Sequence, residues 1–149
     1  MNLIVGGQSL ATVLEAIVQA VEDEDPTIVC SILLLDAERR RLRLGAAPSL
    51  PGFYNQAIHG LEIGPSVGSC GTAAFLGRRI VVEDIQADPL WIGFRDLAAE
   101  ADLAACWSQP ILAADRTVVG TFAIYQREVR APNEDDIAFI ETAAELAAI

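Results

Sequence analysis

The stretch from Gly60 to Ala74, called here the glycine-rich stretch, reads Gly-Leu-Glu-Ile-Gly-Pro-Ser-Val-Gly-Ser-Cys-Gly-Thr-Ala-Ala. Its glycines lie just before a predicted helix, where they allow a positive φ or a close backbone contact. Ser69 or Thr72 is predicted to cap this helix, and the free N–H groups at a helix start attract anions and polar ligand atoms. The stretch therefore predicts either a small-molecule site or a tight loop that only caps its own helix.

Further motifs follow along the chain. They read Asp-Pro-Leu-Trp at 88–91, Phe-Arg at 94–95, Cys-Trp-Ser-Gln-Pro-Ile at 106–111 and Gly-Thr-Phe-Ala-Ile-Tyr at 120–125. Taken with the glycine-rich stretch and in this order, they resemble a bacterial branch of the GAF domain family, from about Leu10 to the last residue. The resemblance implies an α+β fold with a PAS-like antiparallel sheet of five or six strands, helices on both faces and terminal helices packed together.

The resemblance also implies a small-molecule pocket between the glycine-rich stretch and the segments around Trp91 and Trp107. The residues expected to contact the ligand are Ser69, Cys70, Gly71, Thr72, Trp91, Arg95, Trp107, Ser108 and Tyr54. On a predicted helix over 90–101, Trp91 and Arg95 share one face, so the guanidinium packs on the indole, contacts a ligand anion or forms an ion pair within the domain. Trp107 and Cys106 are neighbours on a predicted strand and therefore face opposite sides of the sheet.

One segment departs from the family pattern. Where other members carry Gly-Leu-Arg before an Ala or Ser and the Cys, this chain has Asp102-Leu103-Ala104 before Ala105 and Cys106. If the arginine contacts a ligand in those members, this chain binds a different ligand or none.

Composition and charge indicate one domain and disfavour two classes of partner. The 149 residues are 52% hydrophobic and 21% charged, which suits a single buried core. The net charge of −11 repels phosphate backbones and anionic lipid, so binding to nucleic acid or to a membrane surface is not expected. No apolar run approaches the roughly 20 residues that cross a bilayer and no signal peptide is recognised, so a cytoplasmic location is expected.

The cysteines and the single histidine narrow the ligand class. Cys30, Cys70 and Cys106 are widely spaced with no Cys-x-x-Cys pair, which argues against a disulfide framework and a zinc site. His59 precedes a glycine and is interpreted as a turn residue rather than a haem ligand. The segments with which GAF domains bind bilin covalently or bind cyclic nucleotides are absent, so the sequence identifies neither a cofactor nor a ligand.

Hydrophobic periodicity predicts alternating helices and strands. Helices are predicted over 9–24, 52–58, 90–101 and from residue 134 onward after the N-cap Asn133, and strands over 27–35, 41–44, 80–82, 104–111 and 118–125. The short connections within 27–44 and 104–125 make antiparallel hairpins, which favours an α+β sheet over a doubly wound one.

The terminal helices carry apolar stripes that predict a homodimer seam. The residues of these stripes are Leu10, Leu14, Ile17 and Val21 in the first helix and Ile137, Ile140, Ala144 and Ala147 in the last. The alternative is that the last helix packs on the sheet of a monomer. Because its apolar pattern runs to the end without a C-cap, the chain is interpreted as a single GAF domain over residues 1–149, excised from a larger signalling protein.

An enzyme of the same fold is an alternative from another class. Residues 67–73 also resemble a segment of the free methionine-(R)-sulfoxide reductases, in which Cys70 matches one of the thiols. Their remaining site segments are replaced here by Asp88-Pro89-Leu90-Trp91 and Ala105-Cys106-Trp107-Ser108, so the key thiol is missing. Intrinsic catalysis is therefore not expected.

The residues and the resemblance together predict a non-catalytic sensory GAF domain. It binds a small polar molecule, with an anion favoured, and relays the signal through dimeric terminal helices. The output domain would be a kinase, a cyclic-di-GMP enzyme or a transcription regulator outside this chain. A structural dimerisation module, whose pocket is filled by its own side chains, is the alternative.

Overall fold

An antiparallel six-stranded sheet forms the centre of the structure, a computed structural model that describes residues 4–5 and 8–148. Its strands are β3 (Ile28–Leu35), β4 (Arg41–Ala46), β5 (Leu61–Glu62), β6 (Ile80–Val82), β7 (Ala105–Leu112) and β8 (Val118–Gln126), and a separate small hairpin joins β1 (Ile4–Val5) to β2 (Gln8–Ser9). The order in the large sheet is β5-β4-β3-β8-β7-β6. The predicted α+β class and antiparallel sheet are confirmed.

Helices cover both faces of this sheet. They are α1 (Leu10–Glu24), α2 (Gly52–Ile58), α3 (Cys70–Leu76), α4 (Arg95–Glu100) and α5 (Glu134–Ala147), with a short 3-10 helix at Pro89–Trp91. α1 and α5 contact each other and share one core with one face of the sheet, while α2, α3, the 3-10 helix and α4 share the core on the other face. We call these the α1/α5 face and the α3 face.

Side-chain caps fix where the terminal helices begin. Ser9 Oγ accepts the N–H of Thr12 at 3.2 Å, which starts α1 one residue later. At α5, Asn133 and Asp136 form a reciprocal capping box, with each side chain accepting the backbone N–H of the other residue. The predicted N-cap at Asn133 is confirmed.

The predicted helix over 90–101 is wrong as a single element. The chain forms the 3-10 helix, then a turn through Gly93, and only then α4. Gly93 explains the break, because glycine loses more conformational freedom in a helix than other residues do. Trp91 and Arg95 therefore do not share a face of one helix.

The predicted dimer seam is wrong for those of its residues that are buried, because their side chains pack in the core of this chain. These residues are Leu14, Val21, Ile140, Ala144 and Ala147, all in the core of the α1/α5 face. Ile140 is only 1% exposed, so its side chain packs on the sheet and is not presented to a second copy. Among the helices in the described part of the chain, none has both the length and the apolar character needed to cross a bilayer.

Candidate functional site

The glycine-rich stretch ends in a compact turn that leads into α3. Gly68 has φ +58°, a conformation that side chains disfavour, and its N–H donates to the carbonyl of Leu90 at 2.8 Å. A Cβ on Gly71 would lie 2.7 Å from Val67, so only glycine allows the turn to close this tightly. Gly68 thus joins the turn before α3 to the 3-10 helix, while Gly71 lets the turn close.

Thr72 and Ser69 do not act as the simple caps that the sequence predicts. Thr72 Oγ1 donates to the carbonyl of Gly68 at 2.6 Å and accepts the N–H of Val67 at 2.9 Å, which closes the turn. Ser69 occupies the N-cap position but makes no side-chain bond to the helix. Its hydroxyl donates instead to the carbonyl of Cys106 at 2.9 Å and accepts the indole N–H of Trp91 at 3.1 Å. Ser69 thus joins α3, the 3-10 helix and β7.

Under α3 the sheet presents polar side chains within an otherwise apolar core. Ser31 on β3 and Ser108 on β7 both pair with Ala123 of β8, so they lie in one row across neighbouring strands. Strand alternation places them, with Thr121, on the α3 face, and all three are at most 1% exposed. Ser31 Oγ and Thr121 Oγ1 have no hydrogen-bond partner among the described residues. We call Ser31, Ser108 and Thr121 the hydroxyl row.

The hydroxyl row adjoins a thiol pair. Ser108 Oγ donates to Cys70 Sγ at 3.4 Å, and Cys70 and Cys106 belong to the same core on the α3 face. The hydrogen bond from Cys106 is the largest of the causes that lower the pKa of Cys70, ahead of the one from Ser108. Burial raises the pKa of Cys106 well above its usual value. Of the two thiols, Cys70 is the one that ionises more readily.

A small cavity lies beside Cys70, which belongs to its wall, whereas the residues of the hydroxyl row do not line it. It has a volume of about 10 Å³, which is close to the space that one water molecule needs. Its walls include Tyr54, Gly68, Ser69, Cys70, Trp91 and Tyr125. The hydroxyls of Tyr54 and Tyr125 lie 3.2 Å apart, and burial raises the pKa of both tyrosines.

Four of the nine predicted site residues line this cavity, namely Tyr54, Ser69, Cys70 and Trp91. The other five, Gly71, Thr72, Arg95, Trp107 and Ser108, do not line it. Arg95 is half-buried and donates through Nη2 to the carbonyl of Asp88 at 3.1 Å, while its Nε is buried without a partner among the described residues. Trp107 faces the opposite side of the sheet, because it alternates with Cys106 along β7. The prediction that Trp91 and Trp107 enclose one pocket is wrong.

Trp107 instead connects the sheet to the start of α5. Its Nε1 donates to the carbonyl of Arg130 at 3.1 Å, and the Arg130 guanidinium lies 5.4 Å from the indole centroid. Arg130 Nη2 also forms an ion pair with Asp136 at 2.9 Å, and Asp136 belongs to the capping box of α5. A contact path therefore leads from Cys106 on the α3 face to the first turn of α5.

The departure at residues 102–104 is accommodated without damage to the fold. Asp102 has φ +59°, the left-handed conformation for which glycine is suited and which aspartate tolerates better than most residues. Arg127 Nη1 donates to the carbonyls of Ala101 and Asp102. Ala104 presents no charge, so the cavity has no arginine from this segment.

Sequence reasoning missed Ser31, Thr121 and Tyr125 as members of the site. The available signal was a small polar residue at Ser31 inside a strand that is otherwise apolar from 28 to 35. Among the described residues, His, Cys, Asp and Glu side chains form no group of three or more that could hold a metal ion.

Comparison with known proteins agrees with the fold and the motifs. The family model described as "GAF domain" matches residues 7–149. The methyl sulfide methyltransferase-associated sensor of Methanosarcina acetivorans is 42% identical over 149 residues, a match that covers 100% of this chain and 15% of that protein. The chain thus spans only a small part of its relative.

Two solved structures are similar in fold. The reduced form of fRMsr of Staphylococcus aureus has a TM-score of 0.74 at 22% identity, covering 93% of this chain and 80% of that one. A solved GAF domain has a TM-score of 0.70 at 20% identity, covering 91% of this chain and 73% of that one. At these identities the likeness concerns the fold alone. Because the family match spans nearly the whole sequence and the architecture agrees with it, this chain belongs to the GAF domain family.

Proposed function

We propose that this chain is a sensory GAF domain that binds a small polar molecule in the cavity under α3. The observation that carries the proposal is the pair of buried hydroxyls, on Ser31 and Thr121, that have no hydrogen-bond partner among the described residues. They belong to the row that contacts the cavity wall where Ser108 donates to Cys70. An unpaired buried hydroxyl costs about 1–3 kcal/mol, a cost that a polar ligand would remove. The sensor from Methanosarcina acetivorans supports the same role, since one part of it is similar to the whole of this chain.

A ligand larger than a water molecule requires the cavity to widen. The cover consists of α2, the turn before α3 and the 3-10 helix, each of which is a short segment rather than part of the sheet. Side-chain hydrogen bonds that hold this cover to the sheet include Tyr54 to Tyr125 and Ser69 to Cys106. Short elements with few such bonds open at lower free energy than central strands, so we propose that the ligand enters by displacing the cover.

Arg95 is the candidate partner for an anionic group on the ligand. It follows Phe94, which lines the cavity, and its buried Nε has no partner in the part of the chain that the structure describes. Pairing with an anion would satisfy that nitrogen by a charge-assisted hydrogen bond. We propose that the ligand is small and polar, with an anion favoured.

We propose that ligand occupancy reaches α5 through β7. Cys106 contacts the site, its neighbour Trp107 packs on the other face, and Arg130 connects that indole to the capping box of α5. A ligand shifts the equilibrium between two arrangements of these contacts only if it binds one arrangement better than the other. In this proposal the signal continues into an output domain of a larger protein, in keeping with a relative that is several times longer than this chain. A kinase, a cyclic-di-GMP enzyme and a transcription regulator are the candidate outputs.

We still propose a homodimer, but its contact surface is the outer side of the terminal helices rather than their buried stripes. The outer side of the terminal helices carries Leu146, which is 58% exposed, and the half-buried Phe139. A second copy would contact these side chains rather than the buried Ile140.

A ligand screen tests the proposed site. Thermal shift is measured with nitrate, other oxyanions, amino acids, nucleotides and haem on the unmodified chain, on the Ser31→Ala/Thr121→Val double variant and on Thr142→Val. Thr142 is the matched control because its hydroxyl is exposed and bonds only within α5. A ligand of the site raises the Tm of the unmodified chain and the control but not that of the double variant. Equal shifts in all three proteins would contradict the site.

Thr121→Val is expected to stabilise the ligand-free chain by about 1 kcal/mol, because it removes an unpaired buried hydroxyl at nearly constant volume. Thr72→Val is the matched comparison, since that hydroxyl makes two hydrogen bonds, and it is expected to cost about 1–3 kcal/mol. Urea denaturation of the three proteins measures both changes. A loss of stability in Thr121→Val would show that its hydroxyl has a partner.

We propose that the domain does not turn over methionine sulfoxide. The chain has Asp88-Pro89-Leu90-Trp91 where the free methionine-(R)-sulfoxide reductases carry a further site segment, so the second thiol of their site is missing. Incubation with methionine sulfoxide and a dithiol reductant is expected to yield no methionine above a reaction without protein. Robust turnover that disappears in Cys70→Ser would establish the reductase alternative instead.

A further inference from the structure

The thiol pair under α3 is a second chemical feature of the site, distinct from ligand binding. Cys70 is the first residue of α3, and Cys106 lies on the central part of the sheet in β7. The bonds from Ser69 to the Cys106 carbonyl and from Ser108 to the Cys70 sulfur fix these segments against each other. Cys106 lies two residues before Ser108 on the same face of β7, and Ser108 contacts the Cys70 sulfur at 3.4 Å, so the strand holds both thiols under the start of α3.

We propose that Cys70 and Cys106 form a reversible disulfide when a small hydroperoxide enters the cavity, which makes the domain a thiol redox switch. Hydrogen peroxide is the smallest member of that class, only slightly larger than the water molecule that the cavity accommodates. Cys70 lines the cavity, whereas Cys106 lies behind it with no exposed surface. The oxidant therefore meets Cys70 first.

The surroundings assign different roles to the two sulfurs. Hydrogen bonds from Cys106 and Ser108 lower the pKa of Cys70, which favours the thiolate that attacks peroxide. Burial raises the pKa of Cys106, so this residue stays protonated until a sulfenic acid has formed on Cys70. Cys70 is the nucleophile and Cys106 resolves the product.

The chemistry balances with peroxide as the only oxidant. The Cys70 thiolate attacks one peroxide oxygen and breaks the O–O bond, which leaves a sulfenic acid on Cys70 and a hydroxide that takes up the proton lost by Cys70. The Cys106 sulfur then attacks the sulfenic sulfur, the S–O bond breaks, and the departing hydroxide takes the Cys106 proton. Two thiols and one hydrogen peroxide give one disulfide and two waters. A dithiol reductant reverses the reaction by thiol–disulfide exchange.

The third cysteine provides an internal control. Cys30 faces the α1/α5 side of the sheet with no exposed surface, and burial raises its pKa above the usual value. It has neither a thiol partner in its core nor a place on the cavity wall. Peroxide is therefore expected to leave Cys30 reduced.

Thiol counting on the full chain tests this inference without any added ligand. The unmodified protein, Cys30→Ser, Cys70→Ser and Cys106→Ser are treated with hydrogen peroxide, denatured, alkylated and analysed by mass spectrometry with peptide mapping. The unmodified protein and Cys30→Ser are expected to lose two alkylatable thiols and to yield a peptide that joins Cys70 to Cys106. Cys106→Ser is expected to stop at a dimedone-reactive sulfenic acid, and Cys70→Ser to stay reduced.

The peroxide treatment is repeated on the unmodified chain after unfolding in urea. This comparison tests the inference even if a serine variant does not fold. The joined peptide is expected to form about tenfold faster or more in the folded chain, because the fold holds the two thiols near each other. The inference is overturned by a folded chain that retains all its thiols, by a disulfide that includes Cys30, or by equal rates in the folded and unfolded chains. Because this experiment uses no ligand, its failure leaves the ligand screen unaffected.

Discussion

Ile140→Asp is expected to unfold the chain rather than to yield a folded monomer. Ile140 is 1% exposed in the core that α5 shares with α1 and the sheet. Loss of a buried isoleucine costs about 2–5 kcal/mol, and an unpaired buried carboxylate adds several more. The sum is comparable to the roughly 5–15 kcal/mol that stabilises a typical domain. Far-UV circular dichroism and urea denaturation measure the effect.

Leu146→Asp is the matched control for this prediction. It introduces the same charge on the same helix, at a residue that is 58% exposed, so the fold is expected to remain. If the homodimer uses the outer face of α5, sedimentation of Leu146→Asp will show a monomer at concentrations where the unmodified chain is dimeric. A folded, monomeric Ile140→Asp would restore the buried stripe as the dimer seam.

Trp91→Ala is expected to cost about 3–5 kcal/mol, the range for removing a large buried aromatic side chain. The indole is 3% exposed, lies at the cavity wall and donates to Ser69, so its removal enlarges the cavity and breaks the connection to α3. Added indole is expected to fill the space and to raise the Tm of this variant but not that of the unmodified chain.

Phe75→Ala is the matched control for Trp91→Ala. It also removes an aromatic ring, but Phe75 is 52% exposed on α3, so a small loss of stability and no response to indole are expected. A Trp91→Ala chain as stable as Phe75→Ala, or one that ignores indole, would contradict the cavity under α3.

Local patterns explain what could be predicted from the sequence. Apolar and β-branched runs identify β3 and β8, and Asn133 identifies the start of α5, because each of these features depends on neighbours in the chain. Alternation also placed Trp107 and Cys106 on opposite faces, and that prediction is confirmed. Because neighbouring residues of a strand face opposite sides of the sheet, the side chains of Trp107 and Cys106 cannot line one pocket.

The remaining features depend on contacts between distant segments. Ser31 and Ser108 meet only because both pair with Ala123, and strand register is not readable from a single sequence. The spacing of Ile140 and Ala144 suits a coiled coil and a helix on a sheet equally well, so it could not decide between a dimer and an intrachain core.

The indole N–H signals of the chain's two tryptophans provide the most direct test of a pocket that signals to α5. In a nitrogen-15 NMR spectrum, one signal reports Trp91 at the cavity and the other reports Trp107, which bonds to Arg130 on the opposite face. We expect a compound that raises the Tm in the screen to move both signals in the unmodified chain, and to move neither in the Ser31→Ala/Thr121→Val variant. A compound that stabilises the chain while the Trp91 signal stays in place would contradict the pocket, and a Trp91 shift without a Trp107 shift would contradict transmission to α5.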